Sequence, residues 1–171
     1  MPLLKKGVFV EDAWIFVADD VPIPSKGPIV VGLDRLEAEG DAIAPARRLG
    51  VRLKAGERVE RLAPHLQRLD LVALEFPVFS DGRAFSAAAM LRKRMGFAGE
   101  IRATGQVRVD LHPFMRRTGF DAFQIEDDAR VLRSWRDADI AVDLAYQPDD
   151  ATRDGPLPVW EARRRHRREA A

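Results

Sequence analysis

Six consecutive residues, Leu71-Val72-Ala73-Leu74-Glu75-Phe76, form an almost unbroken apolar run. A run this short and this apolar fits a strand buried on both faces, the situation of a central strand in a parallel sheet. Such a strand needs helices on its faces and crossovers between its neighbours. The flanking sequence supplies both. Val51–Leu53 reads as a short strand, and Glu57–Leu69 as a helix with Val59, Leu62, Ala63, Leu66 and Leu69 on one face. Ser86–Met95 reads as a helix stopped near Gly96, Glu100–Ala103 as a strand, and Asp110–Thr118 as a helix ended by Gly119. Asp110 as N-cap would put Pro113 in the first turn, where its missing N–H costs little. Ala122–Ile125 is a further strand and Asp127–Ala138 a further helix. Strand and helix alternating at this pitch specify an α/β fold of repeated βα units with a mainly parallel sheet, either Rossmann-like or half of a TIM-type barrel.

Upstream, β-branched and aromatic residues around a Glu11-Asp12 break predict an N-terminal β-hairpin over residues 7–17, with arms Gly7–Val10 and Trp14–Val17. The Pro-rich link 22–28 leads to a strand at Ile29–Val31. Short helices follow at Leu33–Glu39 and Ala42–Leu49. The expected organisation is one α/β domain over residues 1–150 and a basic C-terminal tail over 151–171.

Charge is unevenly spread. Between Phe76 and Phe123 the basic residues Arg83, Arg92, Lys93, Arg94, Arg102, Arg108, Arg116 and Arg117 outnumber the acids, and the tail carries six arginines against three acids. Because the whole chain is only +1, the remainder is net acidic. A basic centre suggests an anion-facing surface. Cysteine is absent, which removes disulfides, thiolate nucleophiles, Cys-ligated iron–sulfur clusters and Cys-type zinc sites. His65, His112 and His166 are far apart and in no metal-ligand spacing, and no Gly-x-Gly-x-x-Gly or Walker loop occurs. The residues therefore imply neither a metal nor a cofactor. The N-terminus lacks a signal-peptide core and no apolar run reaches the roughly 20 residues of a membrane span, so cytoplasm is the expected compartment.

The candidate site is the turn Ser80-Asp81-Gly82-Arg83, where a strand ends and a helix begins. In parallel α/β sheets that edge receives ligands. Gly82 is free to take positive φ, and helix N–H groups with Arg83 could converge on a small oxyanion, with Asp81 as a candidate base. The bland alternative is a capped turn in which Asp81 pairs with Arg83. Arg102 and Thr104 close the next strand and are expected at the same edge as further anion-binding groups. Arg92-Lys93-Arg94 and Arg116-Arg117, in last helical turns, are read as cations complementing the helix dipole.

The string Phe76-Pro77-x-Phe79-x-Asp81-Gly82-Arg83-x-x-Ser86, with Leu91-Arg92-x-Arg94, Gly99-Glu100-Ile101-Arg102-Ala103-x-Gly105, Gly119-Phe120-Asp121-Ala122-Phe123 and Tyr146-Gln147, resembles a bacterial family known only as a domain of unknown function. The family is sometimes labelled an oxidoreductase, and its genes commonly stand beside that of the sulfite reductase haemoprotein. The chain departs from its pattern at Gln106, where the family tends to an acid, at Thr118, where it often has Cys, and at His112, near which it has Gln. The resemblance implies assimilatory sulfate reduction as the setting. Two function classes follow. One is an accessory protein docking to sulfite reductase or its electron donor; the other is a small-anion or phosphorylated-ligand enzyme built on Asp81, Gly82, Arg83, Arg102 and Thr104. Nucleic-acid binding through the tail is the weakest reading, for no aromatic platform accompanies the arginines.

Overall fold

The computed structural model describes residues 1–138 and the backbone of two short parallel strands, Leu144–Ala145 and Leu157–Pro158. Apart from those strands, the basic tail lies outside the described residues, as do Tyr146, Gln147, Trp160 and His166. Eight strands form one sheet: β1 (Leu3–Lys5), β2 (Val8–Val10), β3 (Ile15–Phe16), β4 (Ile29–Gly32), β5 (Leu49–Leu53), β6 (Leu69–Phe76), β7 (Glu100–Gly105) and β8 (Ala122–Gln124). Their order across the sheet is β2-β1-β8-β7-β6-β5-β4-β3. From β3 to β8 each strand lies parallel to its successor in the chain. β1 is antiparallel both to β8 and to β2.

A sheet wound in one direction puts all its crossovers on one face. Helices α1 (Leu33–Glu39), α2 (Arg83–Lys93), α3 (His112–Thr118) and α4 (Ala129–Asp137) accordingly share a single core. Val31, Val51, Leu74, Phe76, Ile101 and Phe123 of the sheet meet Leu36, Ala88, Leu91, Met115 and Trp135 of the helices there. The alternate residues Val30, Leu71 and Ala73 face the other way and are covered by Trp14 and Phe16.

Chain connectivity forces the sheet to curl. Eight strands laid flat would place β2 and β3 roughly 34 Å apart. Yet only residues 11–14 join Val10 to Ile15, a link that spans at most about 18 Å. The result is a curled half-barrel with the helices outside, and the link strung across its concave side.

The strand–helix alternation follows the sequence pattern, with local differences of physical origin. An N-terminal hairpin is present, but its arms are Leu3–Lys5 and Val8–Val10. The turn falls at Lys6-Gly7, whose φ values of 51° and 78° suit a two-residue hairpin loop. Ile15–Phe16 leaves for the opposite edge, beside β4. The helix expected over 57–69 is two 3₁₀ turns, Val59–Leu62 and Leu66–Arg68, because Pro64 can neither donate a helical hydrogen bond nor clear the preceding turn. Pro45 likewise prevents a helix over 42–49, where only a 3₁₀ turn, Gly40–Ala42, forms before β5. Helix α2 starts at Arg83, ahead of the expected Ser86. Asp110 sits in a 3₁₀ turn before α3 and does not cap it. Among the described residues no helix is long and apolar enough to cross a membrane.

Candidate functional site

The turn after β6 closes on itself. Asp81 accepts from the Arg83 backbone N–H at 3.1 Å and from the guanidinium at 2.9 Å (Nε) and 2.5 Å (Nη2). These bonds hold the Asp81 carboxyl down at about 2 and push the Arg83 guanidinium up. Gly82 has φ −81°, ψ −2°, so it starts the helix in a right-handed conformation and the turn does not use its freedom at positive φ. The guanidinium lies against Gly56, where an added Cβ would stand 3.0 Å from Nη1.

Arg102 is elsewhere. Ile101 and Ala103 face the helices, so Arg102 leaves β7 on the concave side, with its side chain 1% exposed. Its Nε and Nη2 donate to Glu100 Oε1 at 2.9 and 2.8 Å, and Nη1 to Asp12 Oδ2 at 2.7 Å. Glu100 also receives Lys5 Nζ at 2.6 Å. Burial pushes the Glu100 carboxyl up, but Lys5 and Arg102 outweigh it and the net direction is down. This chain of charges, buried at Arg102 and reaching the surface at Lys5, ties the N-terminal hairpin and the 11–14 link to the middle of the sheet. Thr104, two residues on, shares the concave face, and its Oγ1 donates to the Leu74 carbonyl at 3.3 Å. The five sequence candidates thus divide: Asp81, Gly82 and Arg83 stand at the start of α2, Arg102 and Thr104 inside the half-barrel.

Residues 50–160 match the model of a family described as a bacterial protein of unknown function, DUF934. The chain belongs to that family. No curated protein matches it. The DUF934 segment begins within β5, so Arg102 and Glu100 lie inside it while their partners Lys5 and Asp12 precede it.

Within the DUF934 segment the structure shows three features that sequence reasoning missed. The first is a bracket around Arg92, half-buried between α2, α3 and the start of β7. Its guanidinium donates to the carbonyls of Phe97 (2.6 Å), Gly99 (2.8 Å) and Gly119 (3.1 Å) and to the Asp121 carboxylate. That side chain is therefore a tertiary clamp, a larger role than the dipole-complementing cation expected from its place in a last helical turn. Gly119, with φ +106°, ends α3 in the left-handed conformation, and a Cβ there would sit 2.5 Å from Arg92 Cγ. The signal in the sequence was the pairing of Arg92 with Gly99, Gly119 and Asp121 in one motif string.

The second is apolar. Val78 and Phe79, in the loop after β6, and Phe114, early in α3, are each about half exposed. Phe114 packs against Phe85 with tilted rings 4.6 Å apart, and Arg108 lies over Phe79 at 4.9 Å. The third is an open cleft of about 570 Å³ between the loop after β7 and α4, lined by Gln106, Arg108, Asp110, Glu126, Ser134 and Trp135. Gln106 stands in its wall.

Proposed function

We propose that the protein is a cytoplasmic accessory protein of assimilatory sulfite reduction, docking to the sulfite reductase haemoprotein or its electron donor. The observation that carries this reading is three half-exposed apolar side chains, Val78 and Phe79 in the loop after β6 and Phe114 early in α3, in segments that follow the carboxyl ends of β6 and β7. Aromatic anchors edged by arginine are the usual composition of a protein-binding centre. Here Arg108 lies over the Phe79 ring at 4.9 Å, already held in place by Asp110. The family resemblance supplies the setting. The reading as a small-anion enzyme draws less support, because the Asp81 carboxylate occupies the guanidinium of Arg83, and Arg102 is enclosed on the concave side.

The test is direct binding of the full chain to purified sulfite reductase haemoprotein and, separately, to its electron donor, by sedimentation velocity at micromolar concentrations. A stoichiometric complex with one of them is expected. Replacing Phe79 and Phe114 together by Ser is expected to cost at least about 2 kcal/mol of binding, the loss typical of aromatic hot spots. No complex with either partner would overturn the reading, as would a complex indifferent to the double substitution.

A further inference from the structure

The link of residues 11–14 is held to the sheet by little. Among the described residues its backbone makes no hydrogen bond to a strand, and the Trp14 N–H donates at 3.1 Å to Asp12 Oδ1, within the link itself. Glu11 and Ala13 are exposed. Two side chains do the holding. The Trp14 ring packs with Phe16 over Val30, Leu71 and Ala73, and the Asp12 carboxylate reaches Arg102 Nη1 at 2.7 Å. The Asp12 side chain is 16% exposed and that of Arg102 only 1%. The carboxylate therefore covers a guanidinium that water hardly reaches. A segment with few backbone bonds and few buried contacts opens locally at low cost in free energy, well before the fold is lost.

The charges around Arg102 decide what such an opening leaves behind. Its neighbours in register are Ala73 and Ala122. Beyond these two alanines, on the same concave face, come Arg52 and Lys5, both cations. Glu100 takes Nε and Nη2 of Arg102 and also receives Lys5 Nζ. Glu75, two residues beyond Ala73 towards the carboxyl ends of the strands, is a further acid on this face. Asp19, which stands over Gly32, and Lys54 pair with each other at 3.8 Å. With Asp12 in place these charges cancel. With Asp12 lifted, Lys5, Arg52 and Arg102 face only Glu75 and Glu100, and the balance turns positive. Arg102 Nη1 is then a buried donor without its acceptor, which is costly until another acceptor arrives.

The space for a replacement is the space that Asp12 fills, and its shape is that of a carboxylate. The DUF934 segment contains the cation, whereas Asp12 precedes that segment. We propose that Asp12 is an internal ligand on a carboxylate-binding site built on Arg102, and that a small carboxylate from solution takes its place and lifts the link off the concave side. Arg102 offers Nη1 to an oxygen of the incoming group, Glu100 keeps Nε and Nη2, and the freed link carries Asp12 into water. Phe79 and Phe114 play no part in this exchange, so it does not depend on the docking reading.

The probe is formate, the smallest carboxylate, exchanged against chloride at neutral pH and constant ionic strength. Asp12→Ala removes the internal ligand, so the Tm of the full chain falls, and formate is expected to restore part of the loss saturably. At about 0.5 M, a formate Kd of about 0.1 M corresponds to about a sixfold gain in the folding constant. Asp12→Ala/Arg102→Met should gain no more from formate than from chloride. The unaltered chain supplies a readout free of any folding defect, the hydrogen exchange of single amides followed by NMR. The Trp14 amide, whose acceptor is Asp12 Oδ1, should exchange faster in formate by about the same factor, while the Ile101 amide, held by Asp121, keeps its rate. The proposal is overturned if formate stabilises the single and double variants alike, if chloride serves Asp12→Ala as well as formate does, or if Trp14 exchange in the unaltered chain ignores formate.

Discussion

Replacing Arg102 by Met tests how the concave side is held together. The side chain is 1% exposed and serves two carboxylates, Glu100 at 2.8 Å and Asp12 at 2.7 Å. Met keeps much of the volume and the contact with Phe16, whose ring lies 5.8 Å from the guanidinium carbon, so the loss is electrostatic. Removing one side of a buried ion pair costs about 3–5 kcal/mol. The lower end applies here, because Glu100 retains Lys5 at 2.6 Å and Asp12, on the 11–14 link, can turn to water. About 3 kcal/mol at neutral pH corresponds to a fall in Tm of about 6–12 °C for a chain of this size. The pH dependence separates this account from a packing defect. In the native protein the Glu100 carboxyl is pushed up by burial and pulled further down by Lys5 and Arg102. A lowered folded-state value contributes stability that is present above the ordinary glutamate value and lost as pH falls through the lowered one. In Arg102→Met the upward push of burial remains while part of the downward pull is gone, so the charged form becomes costly at pH 7 and protonation relieves it. The deficit between the two proteins should therefore shrink between pH 7 and pH 4. Urea unfolding followed by circular dichroism at pH 7, 5.5 and 4 measures it. A deficit below about 1 kcal/mol at pH 7, the scale of an exposed pair, would refute the reasoning, as would one that does not change with pH.

Two further outcomes are expected. Gly119→Ala forces a Cβ into a left-handed backbone position and against Arg92 Cγ, and should cost about 2 kcal/mol or more; in an Arg92→Ala background the same change should cost measurably less, which a double-mutant cycle by chemical denaturation will show. The Asp81 carboxyl should titrate near 2 in a carbon-detected NMR series and move up towards its ordinary range in Arg83→Gln, while a midpoint near the ordinary value in the unaltered protein would contradict the closed turn.

The alternation of strand and helix was legible because it rests on local signals: the apolar run of β6, the stop at Gly119, and the period of α2. Helix expectations failed where a single proline overrode a good apolar stripe, at Pro45 and Pro64. The site was legible only in part. Asp81 and Arg83 are two residues apart, so their pairing could be weighed as an alternative from sequence alone. Which way Arg102 points could not be read in the same manner. Alternation says that Arg102 and Ala103 oppose each other, but only the packing of Ile101 and Ala103 against helices says which face is which. The partners of Lys5 and Asp12 lie 95 and 90 residues away, a distance over which no periodicity speaks.

That separation also sets the order in which the molecule can be completed. The strands from β4 to β8 find their neighbours one crossover at a time, so this part of the sheet can grow as the polypeptide lengthens. β1 cannot: its partner on the sheet is β8, and Leu4 lies opposite Phe123. Asp12 likewise has nothing to grip until Arg102 has been made. On the ribosome, Leu3 and Leu4 therefore leave the tunnel well before β8 and take their places late. Until then the two apolar side chains of Leu3 and Leu4, buried at the end, remain in water. Closure of the half-barrel is an act of return, in which an early segment of the chain seals a later one.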